Sequence, residues 1–232
     1  MFPFYLHDYK ITIWWSAKCG CSTLKHLIYN IILKINPEDF HKDSYTNFDP
    51  KYLDYTNILI IRNPLNRIIS SYVDKYAQYD KKYNLNNPNM TFEEFINTLL
   101  NNFQKENHDQ KFNIAYNHHN TPQFSEEFNK LREYTKKERP DFGFQYIYKL
   151  EEFNIGEFMK KHFNIDYDKH IQWNIGKQNK KLFIENAYRI EYNELKKNVP
   201  NYESFLTQEI IDKIKKIYKK DYFHLNINKI IY

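Results

Sequence analysis

The chain has 232 residues, enough for one domain, or one domain with a substantial insertion, and for a real core. Hydrophobic residues make up 41% and charged residues 27%, a globular rather than a disordered composition; the 18% aromatic share fits a coding bias that also favours Asn, Lys and Ile. A net charge of +5 with a pI near 8.8 suits an anionic ligand, or serves solubility alone. It gives no ground for nucleic-acid binding, and no zinc finger, RNA-binding signature or basic heptad region is present.

Cys19 and Cys21 are the only cysteines and stand one residue apart, which excludes a disulfide framework. No metal is expected, since no third and fourth ligand stands at a recognisable spacing. Met1 to Lys10 lacks a cationic start before an apolar run, and no window approaches about eighteen continuous apolar residues. The expectation is a soluble, intracellular chain without a membrane span.

Lys10 to Trp15 reads as a strand ending at Ser16. After a polar loop, Thr23 to Ile35 carries Leu24, Leu27, Ile28, Ile31, Ile32 and Ile35 at helical spacing. Asn57 to Ile61 is a second strand, apolar on both faces as a buried parallel strand is, and it breaks at Asn63-Pro64. Leu65 to Tyr76 follows as a helix. From about 79 to 140 the chain is polar and irregular, with one helix opened by a Thr91–Glu94 capping box and a second capped by Ser125. This stretch reads as a helical insertion that shapes a substrate site and has little core of its own. Phe144 to Leu150 is a third strand, Glu151 to Phe163 the helix after it, and Thr207 caps a final amphipathic helix. The fold class is α/β with a central parallel sheet and crossover helices.

Two constellations carry chemistry. Ser16-Ala17-Lys18-Cys19-Gly20-Cys21-Ser22-Thr23 lies between a strand and a helix. Such a loop presents backbone N–H groups and the positive end of the helix dipole, with Lys18 as a point charge and Ser22 and Thr23 as hydroxyl donors. It is not a Walker loop, because the Gly-Lys-Ser/Thr ending is missing. A phosphate cradle and an ordinary tight turn are both open for it. The second is Arg62-Asn63-Pro64-Leu65-Asn66-Arg67 followed by Ser70 and Tyr72. Arg62 sits at the carboxyl end of a buried strand, where open α/β sheets place ligand contacts. An arginine fork and the Ser70 hydroxyl suit one phosphate; a structural arginine is the alternative.

Taken together, these motifs resemble those of the sulfotransferases that use 3′-phosphoadenosine 5′-phosphosulfate (PAPS), in particular the Golgi-type carbohydrate branch. Ala17-Lys18-Cys19-Gly20-Cys21-Ser22 is similar to the 5′-phosphosulfate loop Pro-Lys-x-Gly-x-Ser/Thr, with Ala17 in place of proline. Arg62-Asn63-Pro64, Arg67, Ser70 and Tyr72 match Arg-Asp-Pro-x-x-Arg-x-x-Ser-x-Tyr, with Asn63 in place of aspartate. His119-Asn120-Thr121-Pro122-Gln123, Tyr148-Lys149-Leu150-Glu151 and Tyr218 to Phe223 resemble later segments of that branch.

The resemblance implies a P-loop-like three-layer fold, one sulfotransferase domain over 1–232, and metal-free in-line transfer from PAPS to a hydroxyl, that of a carbohydrate. It implies that Lys18 neutralises the leaving bridging oxygen, that Lys18, Cys19, Gly20, Cys21, Ser22 and Thr23 hold the 5′ end, and that Arg62 and Ser70 hold the 3′-phosphate. A histidine suits the general base. His41 is preferred, His118 or His119 comes next with a role in shaping the acceptor site, and Glu151 is a further carboxylate at a strand end. Lys177, Lys180 and Lys181 form either a solvated basic face or an anion contact. The rival functions are a phosphotransferase and a non-catalytic nucleotide- or glycan-binding protein on the same scaffold.

Overall fold

The computed structural model describes residues 1–34, 46–76, 89–104, 119–124, 126–167, 181–195 and 197–226. Ile35, His41, His118, Ser125, Lys177 and Lys180 lie outside the described residues. In chain order the main elements are β1 (Phe2–Leu6), β2 (Ile11–Trp15), α1 (Cys21–Leu27), β3 (Thr56–Ile61), α2 (Pro64–Ser71) and α3 (Phe92–Gln104). There follow α4 (Glu126–Glu138), β4 (Tyr146–Lys149), α5 (Ile155–Phe163), α6 (Tyr192–Leu195), α7 (Gln208–Ile217) and α8 (Lys219–Asn226). After α1 and after α2 the helix winds wider, as π-helical turns over Ile28–Leu33 and Tyr72–Tyr76.

The chain divides into two compact units. The first (1–63, 123–177 and 227–232) is built on a mixed sheet in the order β1-β2-β3-β4. β2, β3 and β4 are parallel, with Ile13 opposite Ile58 and Ile60 opposite Tyr148. β1 departs from the expected all-parallel sheet, since it runs antiparallel to β2 with Phe2 opposite Trp15. A single turn of 3-10 helix, His7–Tyr9, and Lys10 at φ 51° reverse the chain between them. Pro3 is tolerated because β1 is an edge strand.

All five residues of β2 are buried, as a strand covered on both faces requires. Ile13, Trp15, Ile58 and Ile60 pack with Leu24, Leu27, Phe158 and Met159 from α1 and α5. On the opposite face the Trp14 indole N–H donates to Asn57 Oδ1 at 3.0 Å, which satisfies both buried polar groups at once.

The second unit (64–122 and 178–226) is helical. Its core joins Ile68, Ile69 and Tyr72 to Phe92, Phe95, Ile96 and Leu99 of α3 and to Ile210 and Ile214 of α7. The capping box forms as expected: the Thr91 N–H donates to Glu94 Oε2 at 2.9 Å and the Glu94 N–H to Thr91 Oγ1 at 3.2 Å. Thr207 caps α7 through the Ile210 N–H. Within 79–140, α3 lays its apolar stripe on α7, more than a hundred residues away in sequence. α4 likewise buries Phe128 and Leu131 in the first unit. Among the described residues no helix is long and apolar enough to cross a membrane.

His162, on α5, meets the Tyr148 hydroxyl at 2.7 Å among Tyr146, Phe158 and Phe163. Burial, reinforced by the Lys161 ammonium, lowers its pKa from 6.5 to about 4. The unfolded chain therefore takes up a proton that the folded chain refuses between these values. Stability is fully present above the unfolded pKa and falls as pH drops through that window. Thermal melts at pH 7 and pH 5 should show a larger fall in Tm for wild type than for His162→Phe. Equal falls would remove His162 as the cause.

Candidate active site

Each of the three parallel strands delivers residues at its carboxyl end: Ser16 to Gly20 after β2, Arg62 and Asn63 after β3, and Glu151 after β4. The parallel register brings these ends to one edge of the first unit, the edge that carries ligands in open α/β sheets.

The loop after β2 begins with a tight turn. The Cys19 N–H donates to the Ser16 carbonyl at 3.1 Å, and Lys18, its third residue, has φ 66° while Ala17 before it does not have a positive φ. That is the signature of a type II turn, whose second position favours proline. Ala17 stands at that position, so the turn forms without a locked φ. Gly20 then has φ 76°, and a Cβ on it would lie 2.7 Å from Leu150 Cδ1. The left-handed backbone favours glycine there, and a Cβ would also press the Leu150 methyl aside. α1 starts at Cys21, where the Leu24 N–H donates to the Gly20 carbonyl at 3.0 Å.

Arg62 is held along its whole length. Its guanidinium donates to the Lys18 carbonyl at 2.8 Å, and its Nε lies 3.8 Å from Glu151 Oε1. Its backbone N–H donates to Gln123 Oε1 at 2.8 Å, and its carbonyl accepts from Gln123 Nε2 at 2.8 Å. Both carboxylate oxygens of Glu151 accept from the Asn63 N–H, at 3.1 and 3.3 Å. Cys19 is fully buried, its thiol donating to Gln123 Oε1 at 3.0 Å and lying 3.0 Å from Ser16 Oγ.

Of the residues expected from sequence, Lys18, Cys19, Gly20 and Arg62 come together here. Thr23 is partly buried in the first turn of α1, where Cys21 and Ser22 supply backbone. Glu151, entertained as a base, is engaged with Arg62 and Asn63. Ser70, Arg67 and His119 belong to the second unit. There the buried Arg67 donates to the Thr121 carbonyl at 2.7 Å, and Ser71 donates to Asn120 Oδ1 at 2.7 Å. The Tyr218 hydroxyl donates to the Asn120 carbonyl at 2.6 Å. His119 is partly buried at the start of that segment. Lys181 lies over the Tyr202 ring at 5.5 Å. Gln123 was overlooked as a site residue. The signal for it was the His-x-x-Pro-Gln pattern, which ends on an amide rather than on a charge.

Gly20→Ala should lower Tm through left-handed strain of about 1 kcal/mol and through the Leu150 contact. Adding Leu150→Ala relieves only the second, so the double variant should lose less than the two single losses added together. Strict additivity in calorimetric melts would refute the close contact.

A family model described as "Sulfotransferase family" matches residues 4–226. The comparisons with curated proteins and with solved structures gave no match. The family match takes in the loop after β2, the Arg62 strand end and the Glu151 turn in one alignment, and the chain belongs to the sulfotransferase family.

Proposed function

We propose that the protein transfers the sulfuryl group of PAPS to a hydroxyl of a carbohydrate. The observation that supports this most is the 2.8 Å hydrogen bond from the Arg62 guanidinium to the Lys18 carbonyl, which joins the two anion-binding motifs at one sheet edge. The local chemistry fits such a donor. φ is positive at Lys18 and Gly20 and not at Cys19 between them, an alternation that turns successive N–H groups to one side. The helix beginning at Cys21 adds its positive end.

When bound, PAPS supplies an activated sulfuryl group with adenosine 3′,5′-bisphosphate as leaving group. In this reading the Lys18 ammonium balances charge on the bridging oxygen as the S–O bond breaks. The loop amides and the Ser22 hydroxyl hold the 5′-phosphate. Arg62 binds the 3′-phosphate as a planar cation. Ser70 joins that assignment through its spacing from Arg62 in the sequence motif. His41 takes the proton of the acceptor hydroxyl, and His119 shapes the acceptor side. We read the sheet and its helices as the P-loop-like, three-layer core of one sulfotransferase domain, with part of 79–140 forming the acceptor side. The unbroken family match over 4–226 supports treating the chain as one domain.

Titration calorimetry with adenosine 3′,5′-bisphosphate tests the donor: wild type should bind, and Arg62→Ala should weaken binding about tenfold or more. No binding by wild type, or undiminished binding by the variant, would sink the assignment. In transfer assays over a panel of glycans and small alcohols, His41→Ala should lower kcat by roughly two to four orders of magnitude with nucleotide affinity unchanged. His119→Ala should mainly raise the acceptor KM. If His41→Ala keeps full turnover, another group is the base.

A further inference from the structure

The carboxamide of Gln123 is fully buried in a stretch without regular secondary structure, and three of its hydrogen bonds bear on the sheet edge. Two go to the N–H and C=O of the same residue, Arg62, at 2.8 Å each. That is the paired exchange one strand residue makes with the residue opposite it in an antiparallel ladder. The β3–β4 ladder ends at Ile61 opposite Lys149. Gln123 pairs with the residue just beyond that end, through a side chain, at the point where the chain carries its arginine.

The third bond ties this pair to the loop. Gln123 Oε1 also accepts from the Cys19 thiol at 3.0 Å, and the Arg62 guanidinium returns to the Lys18 carbonyl at 2.8 Å. Lys18, Arg62, Gln123 and Cys19 thus close a hydrogen-bonded ring through the Lys18–Cys19 peptide. The resemblance gives His119 a role in shaping the acceptor site. The contacts of Gln123, at the end of the same segment, put it on the loop and on Arg62.

We infer that Gln123 is a positioning residue that fixes the Lys18 loop and Arg62 relative to each other, and so sets donor affinity rather than acceptor affinity. This rests on the donor reading above. A carboxamide offers acceptor and donor at a fixed spacing, and the glutamine stem brings that pair to the Arg62 backbone and the Cys19 thiol together.

The test uses the full chain as Gln123→Ala, Arg62→Ala and the double variant, titrated with adenosine 3′,5′-bisphosphate. Gln123→Ala should weaken binding roughly tenfold. In the Arg62→Ala background the loss should be clearly smaller than in wild type, because Gln123 still reaches the loop through Cys19 but has no guanidinium left to position. In transfer assays the PAPS KM should rise and the acceptor KM should not. Wild-type affinity in Gln123→Ala, a penalty that multiplies with that of Arg62→Ala, or a shift confined to the acceptor KM would overturn the inference. Gln123→Glu, of equal size but lacking the donor to the Arg62 carbonyl, should reproduce the loss and serves if the alanine variant does not fold. Hydrogen exchange without nucleotide separates this inference from the donor reading. If wild type fails to bind, the donor reading falls. Even then, amides 16–20 should exchange faster in the Gln123 variants than in wild type while those of β2 do not, and unchanged loop exchange would refute the clamp.

Discussion

Arg62 is the residue on which the sheet edge depends. Its N–H and carbonyl are taken by Gln123, its guanidinium reaches the Lys18 carbonyl, and Glu151 sits by its Nε and on the next peptide N–H. The loop it touches is not a relaxed one. Lys18 holds a left-handed backbone, which costs about 1–2 kcal/mol for a residue with a Cβ. Each ring hydrogen bond contributes about 0.5–1.5 kcal/mol net, so two or three of them offset that strain. Losing one leaves a buried backbone group unsatisfied as well, which makes the ring high in consequence for its size.

The sheet supplies what the ring cannot. Parallel pairing aligns the ends of β2, β3 and β4, so that residues far apart in the sequence arrive at one edge without long-range design of the loops. Burial of β2 on both faces holds its end still, with Trp15 fully buried immediately before Ser16. Gly20 lets Leu150 approach the loop from the β4 side without displacement of its methyl. Loop and strand ends therefore pack against each other.

Much of this was legible from local pattern. The runs Lys10–Trp15 and Asn57–Ile61 read as strands because continuous β-branched and apolar residues mean burial on both sides, and the capping residues Thr91 and Thr207 marked helix starts to the residue. β1 was missed because Pro3 argues against a strand unless the strand is known to lie at an edge, and edge position is a property of the whole sheet. What α3 packs against is not written in its own sequence, because Phe92, Phe95, Ile96 and Leu99 find their partners on α7. The charged residues Lys18 and Arg62 announced themselves by motif. Gln123 did not, because the value of a neutral amide lies in the backbone groups it meets, and those are specified only by the fold.

The clamp also answers a question of chain entropy. The chain leaves the sheet unit after Asn63 and re-enters it at Gln123, which stands 61 residues from the Arg62 it binds. Closing a flexible excursion of that length carries a length-dependent cost on the order of 4 kcal/mol. The three hydrogen bonds of Gln123 together return about 1.5–4.5 kcal/mol, which is close to the cost but not comfortably above it. The buried carboxamide can therefore hold the re-entry point only once the intervening chain has gained order from packing of its own. The apolar contacts of α2 and α3 with α7 supply that order. The closing bonds of the sheet edge and the helical packing are in that sense coupled: the second lowers the entropy that the first must oppose.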